Sequence, residues 1–246
     1  MPVHKISATF FGSLDVEWPC PECGQKTLLI DKASFKRESL LKCRRAHGED
    51  WFDAEMDETV FSCMAHCSRA NCGEVVVCIG KGGWGQNWDY QNNEAEYYSW
   101  HKPLSFVPTL HPFALPGECP EEIAGPVTAS FSVYLSQSGS AANLIRISVE
   151  RILTAIGVPE HNNKQKRISL HQRIELLDGQ YGPYKDTLMA IKFLGNAGSH
   201  TYDEVTTGDI EAAFEIMEYV VNDLFSGRKE SIAVLTRRLH DKFGNQ

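Results

Sequence analysis

The sequence predicts an α+β chain, β-rich in its first part and helical in its second, and three observations carry that expectation. Seven of the eight cysteines lie between Cys20 and Cys78. Two cysteine pairs in that region are each followed by a short run of strand-forming residues. Beyond a proline-bearing stretch, apolar residues recur every three or four positions, the spacing of helices that bury one face.

Lys26 to Ile30 and Glu74 to Ile79 are the expected strands, each rich in β-branched or long apolar side chains and bounded by glycine. Between Gly80 and Trp100 the chain reads Gly80-Lys-Gly-Gly-Trp-Gly-Gln-Asn-Trp and then Tyr90, Tyr97, Tyr98 and Trp100. Aromatics on a glycine-rich loop can stack on unpaired bases. With no run of Lys or Arg among them, they are read as a cover closing over a small β module. Pro103, Pro108, Pro112, Pro116, Pro120 and Pro126 suit neither a helix interior nor a central strand, so the boundary is placed among them. Residues 1–102 form the β module, 103–119 a proline-rich linker and 120–246 a helical bundle.

Helices are expected at 120–136, 141–156, 168–178, 184–196 and 208–225. In the second, Leu144, Val149, Ile152, Leu153 and Ile156 form the stripe, Ser138-Gly-Ser140 precedes it, and Gly157 with Pro159 supplies the stop. The last opens on Thr206 with Asp209 three residues later, a capping pattern. In residues 226–246, Arg237, Arg238 and Lys242 stand opposite Ile232, Leu235 and Leu239; their packing on the bundle or on a partner is left open.

A 42% hydrophobic content in 27.6 kDa is enough for packed cores and excludes disorder as the main state. The net charge of −8 excludes any overall attraction to nucleic acid or anionic lipid, so a phosphate site must be local. No start resembling a secretion signal and no apolar run of about 18 to 20 residues is visible, and a cytoplasmic, non-membrane protein is expected.

In a reducing compartment, clustered cysteines read as metal ligands before disulfides. Cys20-Pro-Glu-Cys23-Gly and Cys67-Ser-Arg-Ala-Asn-Cys72-Gly are two knuckles of a zinc ribbon: each turn sets two thiolates on one side, and the strands bring the knuckles together. Cys20, Cys23, Cys67 and Cys72 are therefore the expected zinc ligands. Four thiolates close the site to water, so the metal should be structural. Cys43, His47, Cys63 and His66 stay open as replacement ligands or as a partial second site. Cys78 and Cys119 fit buried, unliganded cysteines.

Three segments of the second part, Pro120-Glu-Glu-Ile, Ala141-Ala-Asn-Leu-Ile-Arg146-Ile-Ser-Val-Glu150-Arg-Ile-Leu, and Leu188 to Phe193 leading into Gly195-Asn196-Ala-Gly-Ser-His200, occur in the order of a known family. Over roughly residues 103 to 225 the chain resembles the domain of unknown function 4145 family, placed in the HEPN superfamily of helical bundles (higher eukaryotes and prokaryotes nucleotide-binding). The resemblance implies a HEPN-like bundle, a zinc ribbon ahead of it, and a bacterial or phage protein of conflict or defence. Many HEPN proteins are dimeric, metal-independent ribonucleases with an Arg-Asn-x-x-x-His motif at the dimer cleft.

Asn196 and His200 match that motif, whereas Gly195 stands where its arginine would be. If the helix continues, Lys192, Asn196 and His200 share one face, and Arg146 with Glu150 presents a polar face to the same cleft. Lys192 or Arg146 would then supply the missing charge and His200 the general base. The other reading makes Gly195 to His200 a helix ending and Arg146–Glu150 an ordinary pair worth about 0.2 to 0.5 kcal/mol. The expected function is a homodimer that binds RNA or nucleotide, the ribbon serving for docking. A metal-independent endoribonuclease and an inert protein–protein adaptor are the alternatives.

Overall fold

A computed structural model describes residues 3–89, 93–200 and 204–244, the side chain of His200 excepted. The chain divides into two compact units: His4–Pro112 with Phe131–Ser136, and Phe113–Ser130 with Gln137–Gln246 and Met1–Val3.

The first unit is an antiparallel sheet. Its strands are β1 (Phe10–Phe11), β2 (Leu28–Ile30), β3 (Lys36–Ser39), β4 (Thr59–Cys67), β5 (Val75–Asp89) and β6 (Glu94–Val107), with a short helix α1 (Leu41–Ala46) after β3. The order is β1-β6-β5-β4-β2, and β3 also pairs with β4. Strict alternation along β4 buries Thr59, Phe61, Cys63, Ala65 and Cys67 and turns Val60, Ser62, Met64 and His66 outward. The buried face carries Phe10, Trp18, Phe61 and Phe106, with Trp18 set edge-on to Phe10 at 5.4 Å and to Phe106 at 4.8 Å.

Both expected strands are present, but the second is far longer than its apolar run. β5 continues through the glycine-rich stretch and pairs with β6 out to Asp89↔Glu94, so the expected loop is a long hairpin. The glycines are spaces for neighbours across the strands. A Cβ on Gly85 would fall 2.5 Å from the Tyr98 ring, and one on Gly80 would fall 2.3 Å from the Lys102 carbonyl oxygen and 2.5 Å from Phe61. Pro103 sits inside β6 opposite Gly80, beside the register shift between Ile79 and Gly80. An interrupted ladder tolerates a residue with no N–H. Tyr90 lies outside the described residues.

The second unit is helical: α2 (Glu121–Val133, whose last residues join the sheet unit), α3 (Ser138–Ala155), α4 (Leu170–Glu175), α5 (Lys185–His200), α6 (Thr207–Phe225) and α7 (Arg228–Phe243). All five expected helices occur, with moved ends. α3 buries Ala141, Ala142, Ile145, Val149, Ile152 and Leu153 completely, while Leu144 and Ile156 are half-buried. α4 is capped by Ser169, whose side chain accepts from the Gln172 N–H, and gives way to a 3-10 turn over Gly179–Tyr184. α6 begins at the expected cap: Thr206 Oγ1 accepts from the Asp209 N–H at 3.2 Å, and Asp209 accepts from the Thr206 N–H at 2.8 Å. Ile210, Phe214, Met217, Val220 and Val221 form its buried stripe. α7 has no buried residue, and Ile232, Leu235 and Leu239 are exposed.

Candidate metal centre and polar helix face

Each cysteine knuckle is built locally. In the first, the Cys20 N–H donates to the Gln25 carbonyl and the Gly24 N–H to the Cys20 carbonyl, both at 2.8 Å, and Pro19 bridges Lys26. In the second, the Cys67 N–H donates to the Glu74 carbonyl at 2.8 Å and the Cys72 N–H to the Arg69 carbonyl at 2.9 Å. Gly24 and Gly73, the residues after the second cysteine of each pair, have φ of +68° and +65°, where a side chain would be strained. Pairing of β2 with β4, Leu28 opposite Cys67, joins the two knuckles.

The four sulfurs lie within 4.8 Å of one another, with Cys20–Cys72 at 3.6 Å and Cys23–Cys67 at 3.8 Å. A disulfide would need about 2.05 Å. Four sulfurs placed tetrahedrally at about 2.3 Å from one zinc stand about 3.8 Å apart, so the donor set fits such an ion. Burial pushes the Cys20 thiol up to about 12, while the Gln25 N–H holds Cys23 down at about 6. The Thr27 hydroxyl, 3.1 Å from the Cys67 sulfur, lowers that thiol as well. Metal binding here must therefore release protons.

The other candidate ligands do not join this group. Cys63 faces the interior opposite Cys78, and His66 points to the other side of β4. Cys43 is buried, accepting from the Glu58 N–H at 3.3 Å, and His47 lies 3.4 Å from Asp57. Among the described residues the four cysteines are the only group of three or more such side chains placed closely enough to hold a metal ion. Cys78 is fully buried as expected, whereas Cys119 is only half-buried.

On the helical unit, α5 continues through Gly195, Asn196 and Gly198 to His200, so the helix runs on as the single-face reading requires and the alternative ending at Gly195 to His200 is not formed. Lys192, Asn196 and His200 follow one another at the four-residue spacing of a single face. Lys192 and Asn196 are half-buried; the side chain of His200 lies outside the described residues. Gly195 is buried against α3, where a Cβ would come within 2.6 Å of Arg146 Cβ and 2.8 Å of its Cδ. The side chain of Arg146 thus occupies the space beside Gly195.

The expected Arg146–Glu150 pair is present at 3.0 Å, and it is larger than a pair. Asn143 Oδ1 accepts from Arg146 at 3.4 Å, and Arg167 donates to the second Glu150 oxygen at 3.3 Å. Arg146, Glu150 and Arg167 border a cavity of about 440 Å³ that Arg151, Glu160 and Arg173 also line. Sequence reasoning missed Arg167 and Arg173, because they reach α3 only when the segment after Gly157 folds back over it.

Together these features define a two-part chain, an antiparallel sheet carrying four clustered thiols and a helical unit carrying a polar, arginine-bordered face. The family model for Domain of unknown function (DUF8608) matches residues 8–110, and that for Domain of unknown function (DUF4145) matches residues 128–242. The second match extends beyond the expected resemblance into α7. No curated protein and no solved structure matches the chain. No described helix is long and apolar enough to cross a membrane.

Proposed function

We propose that the protein is a homodimer that binds RNA or a nucleotide through its HEPN-like helical unit, while a structural zinc on Cys20, Cys23, Cys67 and Cys72 folds the N-terminal ribbon. The observation that carries the proposal is the packing of Arg146 against Gly195. It supports a cation relocated from α5 to α3, held by Asn143 and Glu150, next to the helix that bears Lys192 and Asn196. The family match over residues 128–242 agrees with the resemblance from which the nucleotide-binding expectation came.

A docking role for the ribbon is supported by the outward face of its sheet. Met64, Val77 and Val107 stand side by side across β4, β5 and β6, with Leu29 and Ile79 exposed on neighbouring rows. Dimerisation is supported by α7, whose apolar residues Ile232, Leu235 and Leu239 are exposed among the described residues.

Filter binding of a radiolabelled RNA pool to the purified protein tests the main reading. Wild type should retain RNA, and Arg146→Gln combined with Asn196→Ala should weaken retention about tenfold or more. An absence of retained or co-purifying nucleic acid, together with no binding of a nucleotide, would leave the inert adaptor as the reading. Cleavage is the second reading, favoured by the continuation of α5 to His200. If RNA is cut, the cut should occur in magnesium-free buffer and disappear in His200→Ala; cutting that survives this change sinks the ribonuclease.

A further inference from the structure

We infer that the arginine-bordered cavity of the helical unit binds a phosphate monoester, the terminal phosphate of a nucleotide or of a 5′-phosphorylated RNA. This rests on the RNA or nucleotide reading and gives it a ligand class.

Four arginines, Arg146, Arg151, Arg167 and Arg173, meet two glutamates, Glu150 and Glu160, around the cavity. Glu150 is shared by Arg146 at 3.0 Å and Arg167 at 3.3 Å, so that trio keeps one positive charge. Arg151 makes no ion pair among the described residues. Arg173 is only 5% exposed, yet its guanidinium donates to neutral acceptors alone: the Glu150 and Val158 carbonyls at 3.2 and 2.9 Å and the Thr154 hydroxyl at 2.9 Å. Its Nε has no partner among the described residues. The Thr154 hydroxyl bridges Arg173 and Glu160, accepting from the guanidinium and donating to the carboxylate at 2.7 Å, so Glu160 acts on Arg173 through its charge with no direct ion pair among the described residues.

A guanidinium so deeply buried is ordinarily matched by a carboxylate or another anion. Here the lining keeps an excess of two positive charges on a chain of net −8. A phosphate monoester carries about −1.5 to −2 near neutral pH and accepts paired N–H bonds from guanidinium forks, so it matches both the charge and the donors. A diester, with a single charge, compensates only half. The volume of about 440 Å³ lies within the roughly 300 to 1,000 Å³ of small-molecule sites, and Ile168 and Leu170 add an apolar wall for a nucleoside.

Isothermal titration of the zinc-loaded full chain with 5′-AMP, adenosine and inorganic phosphate tests this, alongside filter binding of one oligoribonucleotide with a 5′-phosphate or a 5′-hydroxyl. AMP should bind and adenosine should not. Arg151→Gln and Arg167→Gln, both at exposed positions and checked for unchanged circular dichroism, should each weaken AMP about tenfold. Phosphate binding as tightly as AMP would support a site that reads the free ion. Millimolar AMP and phosphate both failing to bind, or binding unchanged in the two variants, overturns the site. RNA retained equally with either 5′ end would also overturn it while leaving RNA binding intact, whereas AMP binding without RNA retention would refute only the RNA half of the parent reading.

Discussion

At Gly195 the absence of a side chain is a packing requirement, because the near-backbone atoms of Arg146 fill the space a Cβ would take. Gly195→Ala should cost about 1 to 3 kcal/mol, the usual range for overpacking, and lower the thermal midpoint of the helical transition. Gly195→Arg, which restores the motif residue in sequence, should destabilise further and leave RNA retention no higher than wild type. His101 offers a second residue-level test. It is buried among Phe10, Phe35 and Phe61, and burial, aided by the charge of Arg37, holds its imidazole down at about 4 against an ordinary value of 6.5. The unfolded chain takes up a proton below about pH 6.5 while the folded chain resists to about pH 4, so stability present above 6.5 is lost as pH falls across that window. The denaturation midpoint followed by tryptophan fluorescence should therefore fall between pH 7 and 4.5, and His101→Leu should flatten that difference relative to wild type.

Elements differ in how much of them a sequence displays. The cysteine knuckles were legible because two cysteine pairs on tight turns are a local pattern, and α6 was legible because Thr206 and Asp209 cap it within one turn. Thr206→Ala removes the acceptor for the Asp209 N–H and should cost about 0.5 to 2 kcal/mol, measured by urea unfolding followed at 222 nm. The β5–β6 hairpin was not legible past Ile79. Glycine composition signals a loop, and only the cross-strand rings of Tyr98 and Phe61 explain why glycine is needed in a paired strand. Likewise the alternative reading of Gly195 to His200 as a helix ending failed because two glycines that favour a helix stop in isolation also permit close helix packing: a Cβ on Gly198 would meet the Gly139 carbonyl at 2.6 Å. The arginine cavity lies at the far end of this scale, since nothing in the spacing of Arg151, Arg167 and Arg173 announces that they converge.

Across the whole molecule, the four clustered thiols lie in one compact unit and most of the helical residues in the other, so the two can be followed separately by experiment. All five tryptophans, Trp18, Trp51, Trp84, Trp88 and Trp100, fall in the sheet unit, while every described α-helix except α1 and the end of α2 belongs to the other. Fluorescence therefore reports the first unit and ellipticity at 222 nm mainly the second. The short strand β2, the contacts of Thr27 with Cys67 and Ser68 and the four sulfurs join the two knuckles, so losing a bound metal should loosen the environment of Trp18, two residues before Cys20. Purified protein should contain about one zinc per chain, and Cys20→Ser or Cys72→Ser should reduce that to below half. Adding a strong chelator should shift tryptophan emission to the red and lower the midpoint of the fluorescence transition, with most of the 222 nm signal retained. Coincident loss of both signals would mean that the two units unfold as one, and no change in either would mean that the four thiols hold no structural metal.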